Sequence, residues 1–462
     1  MTTDVRVRSG FSVRDALGYG SLAVAIVGAL VAGRAEAGLA DLWVIVGLAT
    51  AIPLAIVARV WTLPTWLLVV SALVPVSIVL VGLVSDGGWS GAARATRFGW
   101  AVIVLLGVLA WTRSPGRRLA AIIGALALVG DQFVVGWFAW WGGADPDRLM
   151  IGSFSWHNQF AAYMLIGAGA ASVVAVLAER AVALLGGTVF ALAAVGVIAS
   201  GSRSAAVLLA GAALVGLLIS YRASRGAGLI RWGASVSAAL LATVFFFSTA
   251  FFPATDAGSL AGGLAGRSSA EGSWVARLDH WRVALEMGAE SWLFGSGLST
   301  YGLRSDCFDR QYYTSNPHNE WLLAWAEGGL VMALPLVALL VAAIVIAIRS
   351  VRPLPTASAL TGDVGRWAAL VGVVLALGHA AFDFDWAFPL LIVLAGVMGG
   401  VAGAPVVTPL SRVRPVGASI AATAALAVIA SSLAGFALDP HPGTSLKNGE
   451  LRAEAIDLPC ER

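Results

Sequence analysis

The stretch that decides the fold is Leu330–Ala347, LVMALPLVALLVAAIVIA, eighteen consecutive residues without a charge. A bilayer core about 30 Å thick is crossed by roughly 20 apolar residues in a helix, and the flanks extend this run to about 319–347. Working outward, further apolar runs lie at about 16–33, 39–58, 65–84, 98–111, 119–141, 157–178, 182–200, 204–220 and 230–252 before it, and at 367–385, 388–403 and 417–437 after it. The runs are continuous rather than alternating, and backbone in lipid must satisfy its own hydrogen bonds, so helices are expected and strands are not.

Composition points the same way. Hydrophobic residues make up 59% of the 462 and charged residues 12%, against about 45–50% and about 25% in ordinary soluble domains. That excludes a water-soluble enzyme and a disordered regulator. The net charge of +3 is spread thinly along the chain, so no nucleic-acid partner is expected. The predicted fold is all-α: one integral membrane domain over 1–462, a polytopic bundle of about 12–13 transmembrane helices with one long extracytoplasmic loop.

Arginines set the orientation. With the N-terminus in the cytoplasm, the inner segments hold sixteen, among them Arg14, Arg59, Arg113, Arg118 and Arg180, while the short outer loops hold five: Arg34, Arg94, Arg97, Arg148 and Arg203. This is the positive-inside bias. It places the loop 253–318 and the tail 438–462 outside. Arg14, an apolar run and Ala35-Glu36-Ala37 imitate a signal peptide, but a retained first span is the expectation.

The long loop opens with a Gly/Ser-rich segment, Asp256 to Gly272, that reads as flexible. A helix is expected from Trp274 to Glu290, in which Leu278, Trp281 and Leu285 form an apolar stripe fit to lie on the membrane or cap the bundle. Cys307 and Cys460 both fall outside, where an oxidising compartment permits a disulfide between loop and tail; two separate thiols are the alternative.

In so apolar a chain the ionisable residues near spans are the informative ones. All five histidines, His157, His280, His318, His379 and His441, fall on or near the outer side. Arg203, within Ser200-Gly201-Ser202-Arg203-Ser204, is shaped for a phosphate or carboxylate, or else snorkels to headgroups as an anchor. Arg277 and Arg282 stand five residues apart, about 140° around a helix, so one can enter a site while the other is solvated. Pro317 biases Asn316 away from helix and leaves His318 and Asn319 at the start of the next span. There they would either do acid–base work or cap the helix. His157-Asn158 opens another span, His379 and Asp383 are placed one helical turn apart, and Asp131-Gln132 lies near mid-span without an evident partner. No zinc-type His/Cys spacing, nucleotide loop or paired-acid motif is present, so neither cofactor nor metal is expected.

These motifs, in this order over roughly 150–400, resemble the O-antigen ligase and polymerase superfamily of bacterial envelope glycan assembly. His157-Asn158 before an Ala-rich helix resembles its first landmark, and Ser202-Arg203-Ser204 its second. Arg277-Leu278 with Trp281 and Ala284, then Phe294-Gly295-Ser296-Gly297, is similar to its loop signature. His318-Asn319 with Leu322 and Glu327-Gly328-Gly329-Leu330 is the most specific match, and His379 with Asp383-Phe384 and Pro389 resembles the last landmark. Trp292 and Ala205 depart from the pattern, where proline and glycine are common.

The resemblance implies a GT-C-like membrane glycosyltransferase of the inner membrane. It would move a glycan from undecaprenyl diphosphate to a lipid- or glycan-linked acceptor at the outer face, without a metal and with inversion. Arg203 and Arg277 would bind the diphosphate and His318 would orient or deprotonate the acceptor hydroxyl. Asn319, Arg282, His157, Asn158, Arg94, Arg97, Glu327, His379 and Asp383 become candidates for substrate contacts, and Trp274, Trp281 and Trp321 could stack on sugars. The competing class is a transporter or flippase for a lipid-linked glycan, which predicts ionisable residues along a path through the membrane rather than at one face.

Overall fold

The structure, a computed structural model, describes residues 13–34, 47, 51–84, 90–141, 149–154, 156–224, 226–246, 274–309, 314, 316–351, 356–383 and 385–407. Among them every regular element is helical. In chain order the longer helices are α1 (Val13–Arg34), α2 (Thr65–Val84), α3 (Ser90–Trp111), α4 (Pro115–Trp141), α5 (His157–Leu177) and α6 (Arg180–Ala199). There follow α7 (Arg203–Ser224), α8 (Ala227–Phe246), α9 (Trp274–Glu290), α10 (Glu320–Val351), α11 (Val364–Ala380) and α12 (Pro389–Gly403).

Seven described helices, α2, α4, α5, α6, α7, α8 and α10, are long and apolar enough to cross a membrane, and α3, α11 and α12 contain shorter apolar stretches. The chain is an all-α, multi-pass membrane bundle. The run predicted at 39–58 is described at residue 47 and over the helical 51–58. The run 417–437, the tail 438–462, the segment 256–272 and residues 35–37 lie outside the described residues.

The centre of the bundle is α5, whose residues from Asn158 to Leu177 are all buried. A helix apolar all round belongs inside, and α5 packs against α6, α7 and α11. Small residues let the helices close up, as expected where lipid supplies no hydrophobic drive between them. On α12 a Cβ at Gly396 would lie 2.8 Å from the Ala101 carbonyl oxygen of α3, and one at Gly400 2.7 Å from that of Leu105.

Two expectations are corrected, one at the end of α11 and one at Arg118. The run 367–385 is not one helix: α11 ends at Ala380, and Asp383 and Asp385 sit in the connection to α12. In the predicted stripe of α9, Leu278 and Leu285 lie on the exposed side, compatible with the expected place on the membrane. Ala276, His280, Val283, Ala284 and Met287 are buried, while Leu278 and Leu285 are about half exposed, at 46% and 52%. Arg118, read as a cytoplasmic loop arginine, is buried in the first turn of α4. Its Nε and Nη2 donate to the two carboxylate oxygens of Asp363 at 2.8 and 2.5 Å.

Candidate active site

Four segments far apart in sequence converge at one buried carboxylate. Asp383, just past the end of α11, is wholly buried. Its Oδ1 lies 3.2 Å from Nδ1 of His318 and accepts from Nε2 of Gln159 at 3.3 Å. Its Oδ2 faces Nη2 of Arg277 at 3.8 Å. Burial alone would raise the Asp383 carboxyl, but the hydrogen bond from His318 and the charges of His318, His379 and Arg277 outweigh it. They hold the group below the ordinary carboxylate range. The site therefore has a fixed negative charge with a cation and an imidazole drawn to it.

Each partner is placed by local structure. Arg277 projects from α9 and also donates to the Phe382 carbonyl. Trp274 and Trp281 lean on the Phe382 ring, with centroids 6.4 Å apart in each case. These tryptophans are thus engaged within the chain. The stacked ring of His280 lies 6.0 Å from that of His318.

His318 adopts φ +50°, a left-handed conformation uncommon outside glycine. Its N–H donates to Oδ1 of Asn316 at 3.1 Å, across Pro317. The turn lifts the imidazole off the helix end and over Asp383, leaving the His318 side chain 20% exposed. Asn319 does the capping: its Oδ1 accepts from the N–H groups of Trp321 and Leu322, both at 3.0 Å. Its Nδ2 donates to the Ala381 carbonyl at 2.9 Å, pinning α10 to the end of α11. Of this pair, Asn319 takes the cap, and His318 faces Asp383 instead.

The Glu327-Gly328-Gly329 landmark turns out to be architectural. Gly329 has φ +55° and ψ −154° inside α10, and the broken helix accepts the loop that follows α9. Ser296 and Gly297 donate to the carbonyls of Ala326 and Glu327 at 2.9 and 3.1 Å. Leu330 and Val331 in turn donate to those of Trp292 and Leu293 at 2.8 and 3.1 Å. Glu327 is buried and accepts from the Tyr301 N–H at 3.0 Å. The glycine motifs read as two landmarks are one backbone junction, which fixes the loop after α9, the helix bearing Arg277, to α10, the helix that His318 precedes.

The remaining predicted residues divide. Ser204, in the first turn of α7 beside the exposed Arg203, lies 3.4 Å from Nε2 of His379. His379 pairs through Nδ1 with Asp385 at 2.8 Å and not with Asp383, because the helix ends before Asp383 is reached. At the start of α5, Gln159 reaches Asp383, whereas Asn158 is buried beside it and His157 is half-buried. Arg282 lies on the exposed side of α9, paired with Asp279 and Glu286 at 2.9 Å each, outside the cluster. Arg94 and Arg97 lie on α3; Arg97 is buried, and its neighbour Phe98 packs edge-on against Trp386, with centroids 5.7 Å apart. Trp321 also packs edge-on against Trp386, at 4.7 Å. Asp131 accepts from Gln132, whose Oε1 accepts from the Ser153 hydroxyl at 2.6 Å, away from this cluster. Cys307 is disulfide-bonded, and Cys460, the only other cysteine of the sequence, lies outside the described residues.

Sequence reasoning missed Gln159, Ser204 and Asp385 as participants. Each stands within two residues of a residue it did select, so the signal was present in the motifs without the register.

Residues 188–337 match the family model of the O-antigen ligase. The matched segment contains Arg203, Arg277, His318 and both glycine motifs, and supports the O-antigen ligase superfamily resemblance and a membrane enzyme of that ligase or polymerase type. Gln159 and the His379–Asp385 segment lie beyond it. No curated protein matches the chain.

Proposed function

We propose that this chain transfers a glycan from undecaprenyl diphosphate to an acceptor hydroxyl at the outer face of the cytoplasmic membrane, in a single inverting displacement without a metal. The observation that carries the reading is the sharing of Asp383 by His318 and Arg277, which sets a base beside a cation. With Nδ1–H directed at Asp383, the other ring nitrogen of His318 is the one that takes the proton. The acceptor hydroxyl gives its proton to that nitrogen as its oxygen bonds to the anomeric carbon. On the opposite side the bond from that carbon to the diphosphate oxygen breaks, and the carrier diphosphate leaves.

Arg277 and Arg203 balance the charge on the departing diphosphate. Diphosphate is already a good leaving group, so charge stabilisation and positioning supply much of the rate. General-base help from His318 adds about 10²–10⁴-fold. Arg203, His157 and Asn158 are assigned to carrier or sugar contacts, with Arg94 and Arg97 in a secondary role. Arg282, Asn319 and Glu327 have structural partners and are assigned to the frame.

Incubating the purified protein with a lipid-diphosphate-linked repeat unit tests the proposal. A ladder of products identifies a polymerase, and transfer only to an added lipid-linked acceptor identifies a ligase. Absence of transfer to every acceptor, together with movement of the lipid across vesicles, overturns the reading in favour of a transporter.

A further inference from the structure

We propose that His379, anchored by Asp385, is a positioning residue that acts through Ser204 on the anionic headgroup of the donor; this rests on the transferase reading above. His379 occupies the last turn of α11 with its side chain wholly buried, and Asp385 is 5% exposed. One ring nitrogen faces the carboxylate at 2.8 Å and the other faces the Ser204 hydroxyl at 3.4 Å. The helix end does not need this chain of groups for closure, because Ala381 and Phe382 already donate to the carbonyls of Gly378 and His379. A buried acid–imidazole pair is costly beside an apolar substitute, so its presence calls for a use.

The proton count supplies one. With Nδ1–H on Asp385, a neutral His379 accepts a hydrogen bond from the Ser204 hydroxyl at Nε2 and turns the hydroxyl lone pairs outward. A protonated His379 donates from Nε2 instead, and the hydroxyl proton swings away from it, toward Ser202 at 3.3 Å or toward an incoming oxyanion. In either state the Asp385 carboxylate accepts from Nδ1 at 2.8 Å and holds the ring in place. In the protonated state the first turn of α7 presents a hydroxyl donor next to Arg203. Ser204 keeps its proton throughout, so the bonds made and broken remain those of the transfer itself.

The test uses the full chain in nanodiscs, with undecaprenyl diphosphate as the binding probe and transfer assayed in parallel. Ser204→Ala is expected to weaken carrier binding about tenfold, the scale of one hydrogen bond to a charged group, and to leave the acceptor KM unmoved. Ser204→Thr restores binding. Asp385→Asn matches Ser204→Ala, and the double variant is no worse than Ser204→Ala alone; His379→Gln replaces Asp385→Asn if that variant does not accumulate. Carrier binding by Ser204→Ala equal to wild type, or losses that add in the double variant, overturns the inference. If wild type binds the carrier and transfers nothing, the transferase reading falls while the binding series still decides this one.

Discussion

Nδ1 of His318 and Oδ1 of Asp383 lie 3.2 Å apart across sixty-five residues of sequence, joining the start of α10 to the connection after α11. The carboxylate orients the imidazole, and Asp383→Asn would remove both that orientation and the charge that holds Arg277. Transfer is expected to fall by at least about 10²-fold, with His318→Ala lower still, in proteins that still accumulate in the membrane. The sign of the pH effect on stability follows from the depressed Asp383 carboxyl. Its contribution is complete above the unfolded value of about 3.9 and is lost as pH falls through the lower folded value. The Tm advantage of wild type over Asp383→Asn is therefore retained at pH 5 and shrinks below about pH 4.

Arg277 and Arg282 lie on different sides of α9, and their substitutions should separate cleanly. Arg277→Ala leaves a wholly buried Asp383 without its cation, and most transfer is expected to be lost. The Arg282 side chain is 43% exposed and paired on the surface, where such pairs contribute about 0–1 kcal/mol. Arg282→Ala should keep transfer within about twofold of wild type. Equal losses in the two variants would contradict the assignment of Arg277 to the reacting centre.

The helices were legible because continuous apolar runs in lipid have one solution, and the amphipathic α9 was placed at its observed bounds, Trp274–Glu290. Pairing across the bundle was not legible. Phe382 and Phe384 prolong the apolar run, so hydrophobicity gives no sign that α11 stops at Ala380, and with the helix extended His379 was given Asp383 in place of Asp385. Gly329 breaks α10 at the edge of its apolar run, two residues after Glu327, for a reason that lies on the other side of the contact, at Gly295. His318 and Arg277 were readable because charge near a span is rare, whereas Gln159 and Ser204 are neutral and carry no such mark.

Cys307 lies just after the short helix Tyr301–Arg304 and is disulfide-bonded. A bridge to Cys460 is the expected pairing. Alkylation without reductant should leave the intact mass unchanged, and reduction first should add two labels. Labelling without reductant would show free thiols.

Arg118 and Asp363 form a bidentate pair whose side chains are 4% and 15% exposed. Arg118 also donates to the Thr112 and Arg113 carbonyls at 2.9 and 2.7 Å. Removing one partner of such a pair strands a buried charge at a cost of about 3–5 kcal/mol. Arg118→Ala should lower Tm markedly. The double variant Arg118→Leu with Asp363→Leu should recover much of that loss, since no charge is then left behind.

Gly329 offers the sharpest test of the junction between loop and helix. Its φ of +55° with ψ −154° belongs to a region that is essentially confined to glycine. Space is denied as well: a Cβ there would lie 2.6 Å from the backbone nitrogen of Gly295 and from the Leu293 carbonyl carbon. Backbone cannot swing aside as a flexible side chain can, so Gly329→Ala must either part the two strands of the junction or straighten α10. Either movement shifts α9, which carries Arg277, relative to His318. A loss of at least about 2 kcal/mol in stability and near-complete loss of transfer are expected. The control is Gly124→Ala in the middle of α4, where a Cβ meets nothing within 4 Å and alanine is the better helix former. That variant should match wild type in both Tm and transfer. A Gly329→Ala protein that melts and transfers like the control would show that the break in α10 does not hold the site together.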